Sequence, residues 1–279
     1  MKKTLLTICL VWMCFSLSAQ KIIDLSGKWS FSIDRQDNGE KEKWFSHTLN
    51  DFINLPGSMP EKLKGDEVTA KTQWTGSLYD SSYYYNPYME KYRKEGNIKF
   101  PFFLTPDKHY VGAAWYQKEV NIPADWKGER ILLFLERPHI ETTVWVNGQK
   151  TGMQNSLCVP HQYDITHYVR PGKCTITIRV DNRIKEINVG PDSHSITDQT
   201  QGNWNGIVGR ICLQTTPKTY FDDIQIYPEP EQKLARVKVV IKGTGTAKVK
   251  LSAESFNTDK KHIAVSYTHL RAHETGAYL

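Results

Sequence analysis

The side chains best suited to ligand chemistry lie in one polar loop, Ser195–Ile207. Five of its residues could bind a polyhydroxylated ligand: Asp198, Gln199, Asn203, Trp204 and Asn205. The carboxylate and the amides offer hydrogen-bond acceptors and donors for hydroxyl groups, and the indole offers a flat apolar face for a sugar ring. The alternative is a loop that packs the domain, with Trp204 in a domain interface. The sequence favours neither hypothesis over the other.

Residues that could perform acid–base or metal chemistry are harder to find. Glu136, Glu141 and Glu186 lie in or beside segments with strand character, where solvated or salt-bridged carboxylates are the usual finding. His269 and His273 have the i, i+4 spacing of two metal ligands on a helix, but the HExxH order is missing and no apolar stripe supports a helix. We therefore expect no catalytic residue, no metal site and no cofactor in this chain.

Short segments of alternating polarity must position the loop. Ile140–Val146 alternates β-branched residues with other side chains, which predicts a half-buried strand, and Asn147-Gly148 closes it with a turn. Trp115 begins another alternating strand and is expected in the core. Further strands are predicted at Asp24–Ile33, Tyr116–Ile122, Arg130–Glu136, Cys174–Asn182 and Tyr220–Tyr227. Because long helical periods are absent, the pattern predicts an all-β jelly-roll sandwich.

The first and last segments divide the chain further. Residues 1–19 combine Lys2-Lys3, an apolar run too short for a membrane anchor and small residues, which predicts a signal peptide and a secreted or periplasmic protein. Residues 20–228 are assigned to the jelly roll, and Pro228–Glu231 is the candidate linker. Residues 229–265 alternate over about three strands, which predicts the start of an immunoglobulin-like β-sandwich that remains incomplete.

Charge and cysteine content exclude some classes of protein. The formal net charge is +6, but basic residues are scattered among acidic ones, so we expect no nucleic-acid partner. After the signal no apolar segment is long enough to cross a bilayer, so we expect no membrane partner. Cys158 and Cys174 could form a disulfide, or Cys158, Cys174 and Cys212 could all be buried free thiols.

Seven segments, taken in order, resemble a known family. They are Leu25–Phe31 (LSGKWSF), Leu55–Met59 (LPGSM), Phe100–Pro106 (FPFFLTP), Gly112–Pro123 (GAAWYQKEVNIP), Thr143–Gly148 (TVWVNG), Tyr163–Thr166 (YDIT) and the polar loop within Asp192–Leu213. Their order and spacing are similar to the N-terminal sugar-binding domain of glycoside hydrolase family 2, a galactose-binding-domain-like jelly roll. The similarity is greatest to β-galactosidase-like enzymes of gut Bacteroidetes. Residues 266–279 instead resemble a sequencing adapter that has been translated, and we interpret them as an artefactual tail.

The resemblance implies a multidomain exo-glycosidase that acts in carbohydrate degradation. In the family a jelly roll and an immunoglobulin-like domain precede a TIM barrel, whose two glutamates lie about 5 Å apart for retaining hydrolysis. The barrel would take ~250 further residues, for which this chain has no room. We therefore expect a fragment that is inactive alone and belongs to an enzyme with a carbohydrate substrate, and the full-length enzyme could form oligomers. The alternative is a free-standing carbohydrate-binding module.

The resemblance also implies which loops reach the substrate. In the family one jelly-roll loop extends to the barrel and helps to bind the terminal sugar, and it matches Ser195–Ile207 here. His109 lies in a second loop that faces the active site in relatives. The family's Asp-Gln-Asp is Asp198-Gln199-Thr200 in this chain. The threonine at the third position puts a preference for galactose in doubt.

Overall fold

The computed structural model describes residues 21–76, 81–102, 104–185, 193–194, 196–232, 234–244, 246–255 and 262–271. The predicted signal peptide, Glu186, Asp192, Ser195 and residues 272–279 lie outside the described residues. Within the described part, no helix is both long and apolar enough to cross a bilayer.

The first of two large antiparallel sheets has five strands. They are β1 (Ile22–Asp24), β4 (Gly57–Ser58), β8 (Arg130–Pro138), β11 (His161–Asp164) and β13 (Gly206–Thr216). Their order is β1–β13–β8–β11, and the short β4 pairs with the beginning of β13.

The second large sheet has six antiparallel strands. They are β2 (Gly27–Asp34), β3 (Asp51–Leu55), β7 (Ala113–Ile122), β9 (Glu141–Val146), β10 (Gln149–Asn155) and β12 (Gly172–Asp181). Their order is β10–β9–β12–β7–β2–β3. Most sequence neighbours are not sheet neighbours, so the chain crosses repeatedly between the two layers.

Short elements connect these strands. The only α-helix in the described residues is α1 (Ser82–Tyr85), and 3₁₀ turns lie at Trp44–Ser46, Pro87–Tyr92, Ala124–Trp126 and Pro230–Gln232. A two-residue pairing joins β5 (Asp66–Glu67) to β6 (Lys108–His109). The scarcity of helix agrees with the aromatic and β-branched composition of the segments.

One hydrophobic core joins the facing sides of the two large sheets. Trp29 and Ile178 enter it from the six-stranded sheet, and Leu133 and Leu213 enter it from the five-stranded sheet. Each of these four side chains is fully buried. Because successive strand residues point to opposite faces, alternation in sequence becomes one apolar face per sheet. The prediction of an all-β sandwich is therefore confirmed.

Strand β9 corrects one prediction. All six of its residues are buried, whereas the sequence pattern predicts a half-buried strand. Its outer face is covered because residues 44–49 fold over the six-stranded sheet. Trp145 stacks on Phe45 at a ring-centroid distance of 5.2 Å and on Trp115 at 5.0 Å. Trp115 is itself fully buried, as its position in an alternating strand predicts.

Two hairpins follow the sandwich and shift the expected boundary. Strands β14 (Tyr220–Glu229) and β15 (Leu234–Lys242) pair with each other, and β16 (Thr246–Ser255) pairs with β17 (His262–Arg271). The candidate linker is wrong as drawn, because Pro228 belongs to β14 and pairs with Ala235. The break between the large sheets and the hairpins lies after Thr216. Strand β17 continues through Val265, so the fold marks no boundary there.

The three cysteines among the described residues are free thiols. Cys174 and Cys212 are buried, whereas Cys158 is exposed. The expectation of three buried thiols is therefore right for two of them, and no Cys158–Cys174 disulfide is present. Burial raises the pKa of the Cys174 thiol to about 11, so this thiol stays protonated at neutral pH.

Candidate functional site

The polar loop crosses one rim of the sandwich. At this rim Asp181 of β12 pairs with Ala113 of β7, and Ile207 of β13 pairs with Pro138 of β8. Residues 196–205 run between these strand ends before the chain enters β13. The loop therefore bridges the two sheets, and its side chains can contact both.

Asp198 fastens the loop to the segment around Thr75. Its Oδ2 accepts a hydrogen bond of 2.6 Å from the backbone N–H of Thr75, and its Oδ1 accepts one of 2.8 Å from the backbone N–H of Asn203. The Asp198 N–H donates in return to the Thr75 carbonyl oxygen at 3.2 Å. Only 2% of Asp198 is exposed. The carboxylate therefore faces the protein interior.

Asn205 joins the loop to the six-stranded sheet. Its Nδ2 donates to the carbonyl oxygens of Gly112 and Val180, both at 2.9 Å. Its Oδ1 accepts a hydrogen bond of 2.7 Å from the Tyr116 hydroxyl. With 1% of the residue exposed, both ends of this amide are satisfied inside the protein.

Asn203 and His109 are also buried around the same fastening point. Asn203 Nδ2 donates to Thr75 Oγ1 at 2.9 Å and to the Asn182 carbonyl oxygen at 3.0 Å. His109 Nε2 lies 3.3 Å from Asp198 Oδ2, and its ring meets the edge of Trp74 at a centroid distance of 4.6 Å. These side chains hold the loop in place and offer little surface to a ligand.

Gln199 and Trp204 differ from the other predicted site residues. Both are partly exposed, and Gln199 makes no side-chain hydrogen bond with any described residue. One face of the Trp204 indole stacks on the His139 ring at a centroid distance of 4.6 Å and an interplanar angle of 20°. An amide and a supported indole can together hold a sugar by a hydrogen bond and by ring contact.

The structure thus brings the six predicted residues to one rim but divides their roles. Asp198, Asn203, Asn205 and His109 are buried and hydrogen-bonded, which favours the packing hypothesis for these four. Gln199 and Trp204 remain available to a ligand. Nowhere in the described part do three His, Cys, Asp or Glu side chains converge on a metal site.

Sequence reasoning missed two residues of this rim. The backbone N–H of Thr75 donates a hydrogen bond to Asp198, but no sequence motif around Thr75 could have revealed this role. His139 supports Trp204, and its position as a polar residue directly before the predicted strand Ile140–Val146 was an available signal. Its Nε2 is buried and has no hydrogen-bond partner among the described residues.

An ion cluster lies beside the loop at the end of β12. The fully buried Asp181 Oδ2 lies 3.1 Å from Arg179 Nη2, 2.6 Å from Arg183 Nη2 and 2.9 Å from Lys185 Nζ. Glu141 Oε1 lies 2.9 Å from the same lysine. Burial by itself would raise the pKa of Asp181, but hydrogen bonds from Arg183 and Lys185 outweigh it and hold that pKa well below its usual range.

Glu136 and Glu141, the two candidate glutamates that lie among the described residues, have structural partners. Glu141 is 8% exposed and also lies 3.4 Å from Arg179 Nη1. Glu136 Oε2 accepts a hydrogen bond of 2.9 Å from the Arg210 backbone N–H. Both carboxylates are therefore engaged in ion pairs or hydrogen bonds that hold the strands.

His139 predicts a pH dependence of stability. Burial lowers its pKa from 6.5 to about 4, against smaller opposing effects of Asn203 and Asp198. Because the pKa is lower in the folded state, the unfolded chain takes up the proton first as the pH falls. The free energy of unfolding is therefore unaffected by His139 above about pH 6.5 and decreases from there towards pH 4. Between pH 7 and pH 5 the loss is about 2 kcal/mol.

Urea unfolding at pH 7 and pH 5 measures this effect. His139→Phe keeps a flat ring against Trp204 and removes the titration, so its stability should fall less than that of the native chain over the same interval. His167→Phe, at an exposed position outside this rim, is the matched control. Equal pH dependence in the native chain and His139→Phe would show that His139 is not the buried neutral group.

Comparison with known proteins agrees with this architecture. Residues 22–217 match the family described as Glycosyl hydrolases family 2, sugar binding domain. The β-glucuronidase of Homo sapiens is 24% identical over 269 residues, which covers 86% of this chain and 36% of that protein. The β-glucuronidase of Paenibacillus borealis is 24% identical over 222 residues, which covers 74% of this chain and 31% of that protein.

Solved structures show the same fold. A β-glucuronidase from an uncultured Clostridium sp. superposes with a TM-score of 0.56 at 20% identity, covering 92% of this chain and 40% of that one. The β-glucuronidase of Ruminococcus gnavus gives 0.57 at 17% identity, with 91% and 39% covered. The chain thus covers between 31% and 40% of the length of these relatives. Because the family match extends over most of the described sandwich and well over half of the sequence, this chain belongs to glycoside hydrolase family 2 and carries its sugar-binding domain.

Proposed function

We propose that this chain is the N-terminal sugar-binding part of a longer, secreted, exo-acting β-glycosidase. The observation that carries the proposal is the family match over residues 22–217 together with a loop that presents Gln199 and Trp204 at one rim of the sandwich. The apolar run and basic start of residues 1–19 support export to the periplasm or the medium.

The division of labour follows from what the described residues provide. Retaining hydrolysis needs one carboxylate to attack the anomeric carbon and another, about 5 Å away, to protonate the leaving oxygen. We assign both to a catalytic domain beyond this chain. The jelly roll supplies the polar loop Ser195–Ile207, called the rim loop from here on. Its buried Asp198 and Asn205 fix the backbone so that Gln199 and Trp204 can contact the terminal sugar.

The substrate class we propose is a β-glucuronide. Its support is that the relatives named above are β-glucuronidases. The second candidate is a β-galactoside, which is favoured by Asp198-Gln199 of the family's Asp-Gln-Asp. Against it, Thr200 replaces the last aspartate, and the Thr200 hydroxyl donates to the His194 carbonyl oxygen at 3.0 Å within the loop. A hydroxyl engaged there is a poor substitute for a carboxylate that binds a sugar.

A panel of chromogenic β-glucuronides, β-galactosides and β-mannosides tests the proposal. We expect the purified chain to release no chromophore above the blank, since the described residues hold no catalytic carboxylate pair. A protein extended by the downstream reading frame should cleave the glucuronide fastest. Turnover by the chain itself, abolished by a point substitution within it, would contradict the assignment.

The rival hypothesis is a free-standing carbohydrate-binding module. The rim loop alone offers a few exposed polar side chains and one indole face, and partly enclosed hydroxyls gain little over their bonds to water. The isolated chain should therefore bind glucuronate or galactose weakly. Tight binding of either sugar by the chain, lost in Trp204→Ala with the fold intact, would favour the module.

A further inference from the structure

An open cleft of about 520 Å³ lies at the end of the sandwich opposite to the rim loop. Its floor is apolar and buried: Ile122 comes from the six-stranded sheet, Ile131 from the five-stranded sheet and Val169 from the turn before β12. Two turns form its walls, residues 126–130 before β8 and residues 166–171 before β12. The volume is in the range of pockets that hold small organic ligands.

The cleft is far from the rim loop. Gly172 of β12 pairs with Ile122 at the cleft, and Asp181 of the same strand pairs with Ala113 at the opposite rim. Nine residues of extended strand at ~3.3 Å each separate the two ends by about 30 Å. A ligand in the cleft would therefore occupy a site separate from the rim loop.

The cleft is lined by cations that lack ionic partners. Lys127, Arg170 and Lys218 line it and are exposed, and none forms an ion pair with a described residue. Glu129 is the one acidic residue that lines it. Glu129 opposes only part of these three charges, so the cleft keeps a net positive charge around its apolar floor and a positive potential.

The nearby carboxylates do not neutralise these cations. Asp125 pairs with Lys21 at 2.7 Å, and Asp164 pairs with Arg130 at 2.7 Å. The Arg130 guanidinium also lies 3.8 Å from the centre of the Tyr220 ring. This contact holds the chain in place beside the cleft, where it leaves the sandwich. These two carboxylates therefore do not neutralise Lys127, Arg170 or Lys218, and the cleft keeps a net positive charge.

We propose that this cleft binds an acidic oligosaccharide, one that carries carboxylate or sulfate groups. The C–H faces of pyranose rings pack on the apolar floor, and the acidic groups pair with Lys127, Arg170 and Lys218. The choice of a carbohydrate rests on the proposed function, whereas the choice of an anion rests on the charges of the cleft. Such a site would hold a polymeric substrate away from the catalytic domain.

Isothermal titration calorimetry of the full chain with a heparin-derived tetrasaccharide in low-salt buffer tests the site. The triple variant Lys127→Gln, Arg170→Gln and Lys218→Gln should weaken binding about tenfold or more, because it removes three ion pairs with the ligand. The matched control neutralises three exposed lysines outside the cleft: Lys41→Gln, Lys71→Gln and Lys99→Gln. All six positions are on the surface, so both variants should fold.

Cellotetraose, tetra-aspartate and inorganic sulfate serve as further probes. Selective binding of the acidic tetrasaccharide, lost only in the cleft variant, supports the proposal. It is overturned by absent binding, by equal binding of cellotetraose, by equally tight binding of tetra-aspartate or sulfate, or by an equal loss in both triple variants. The measurement involves no turnover, so an inactive longer enzyme would leave this result standing, and a failure to bind would leave the hydrolytic function standing.

Discussion

Asp198→Ala is expected to lower the free energy of unfolding of this chain by about 3–5 kcal/mol. Alanine leaves the backbone N–H groups of Thr75 and Asn203 without their carboxylate acceptors in a buried site. Each buried donor that loses its partner costs roughly 1–3 kcal/mol, and more when the lost acceptor is charged. Urea unfolding followed by tryptophan fluorescence measures the change.

Gln199→Ala is the matched control for this substitution. It alters the adjacent residue of the same loop, whose side chain makes no hydrogen bond with the described residues, so stability should change by about 0.5 kcal/mol or less. Asp198→Asn keeps one acceptor and should fall between the two. If Asp198→Ala and Gln199→Ala were equally stable, the carboxylate would not fasten the loop.

In a longer enzyme, substitutions of Asp198 and of Trp204 separate the anchoring of the loop from contact with the ligand. Asp198→Ala should reduce stability and activity together, since the whole loop loses its anchor. Trp204→Ala should raise KM with stability nearly intact, since the indole is partly exposed and touches the protein on the His139 side.

Asp181→Asn is expected to cost a comparable amount, about 3–5 kcal/mol. Asp181 is fully buried and compensates cations of three neighbouring side chains, Arg179, Arg183 and Lys185. The neutral amide leaves Arg179, which is 7% exposed, with only Asp37 and Glu141 as ionic partners. A buried charge that loses its partner is among the costliest local changes in a protein.

Acid titration and an exposed ion pair provide the controls for Asp181. Its folded-state pKa is lowered, so its stabilisation is present above the unfolded pKa of about 3.9 and is lost as the pH falls further. The difference between the native chain and Asp181→Asn should therefore shrink below about pH 4. Glu119→Gln breaks an exposed pair with Lys173, which solvent screens, so it should cost far less than Asp181→Asn. Equal costs for Glu119→Gln and Asp181→Asn would refute the role of the buried cluster.

The alternation of residue types along short segments predicted the two packed sheets of this protein well. The predicted strands Asp24–Ile33 and Arg130–Glu136 contain Trp29 and Leu133, which both lie in the core because strand geometry sends every second side chain to one face. The same logic failed for β9, where Trp145 was expected on an exposed face. That face is covered by Phe45 and Trp115, and no local rule says that residues 44–49 fold over it.

The proline signal before the hairpins failed for a related reason. Pro228 and the glutamate after it suggested a linker, yet Pro228 pairs with Ala235 near the end of β14. Proline is tolerated near the end of a strand, where few ladder hydrogen bonds depend on its missing N–H. Pairing with β15 therefore decided that Pro228 belongs to a strand rather than to a linker.

The sequence by itself determined the β-sandwich, the family and the loop that reaches the rim, because each rests on residue types and spacings along the chain. Only the tertiary structure decided which polar side chains of that loop face inward. Asp198 bonds to Thr75, 123 residues away, and Asn205 bonds to Gly112, 93 residues away. A carboxylate or an amide has the same chemistry for a sugar and for a backbone N–H. Hydrogen-bond partners distant in sequence therefore bury Asp198 and Asn205, whereas Gln199 and Trp204 stay partly exposed and available to a ligand.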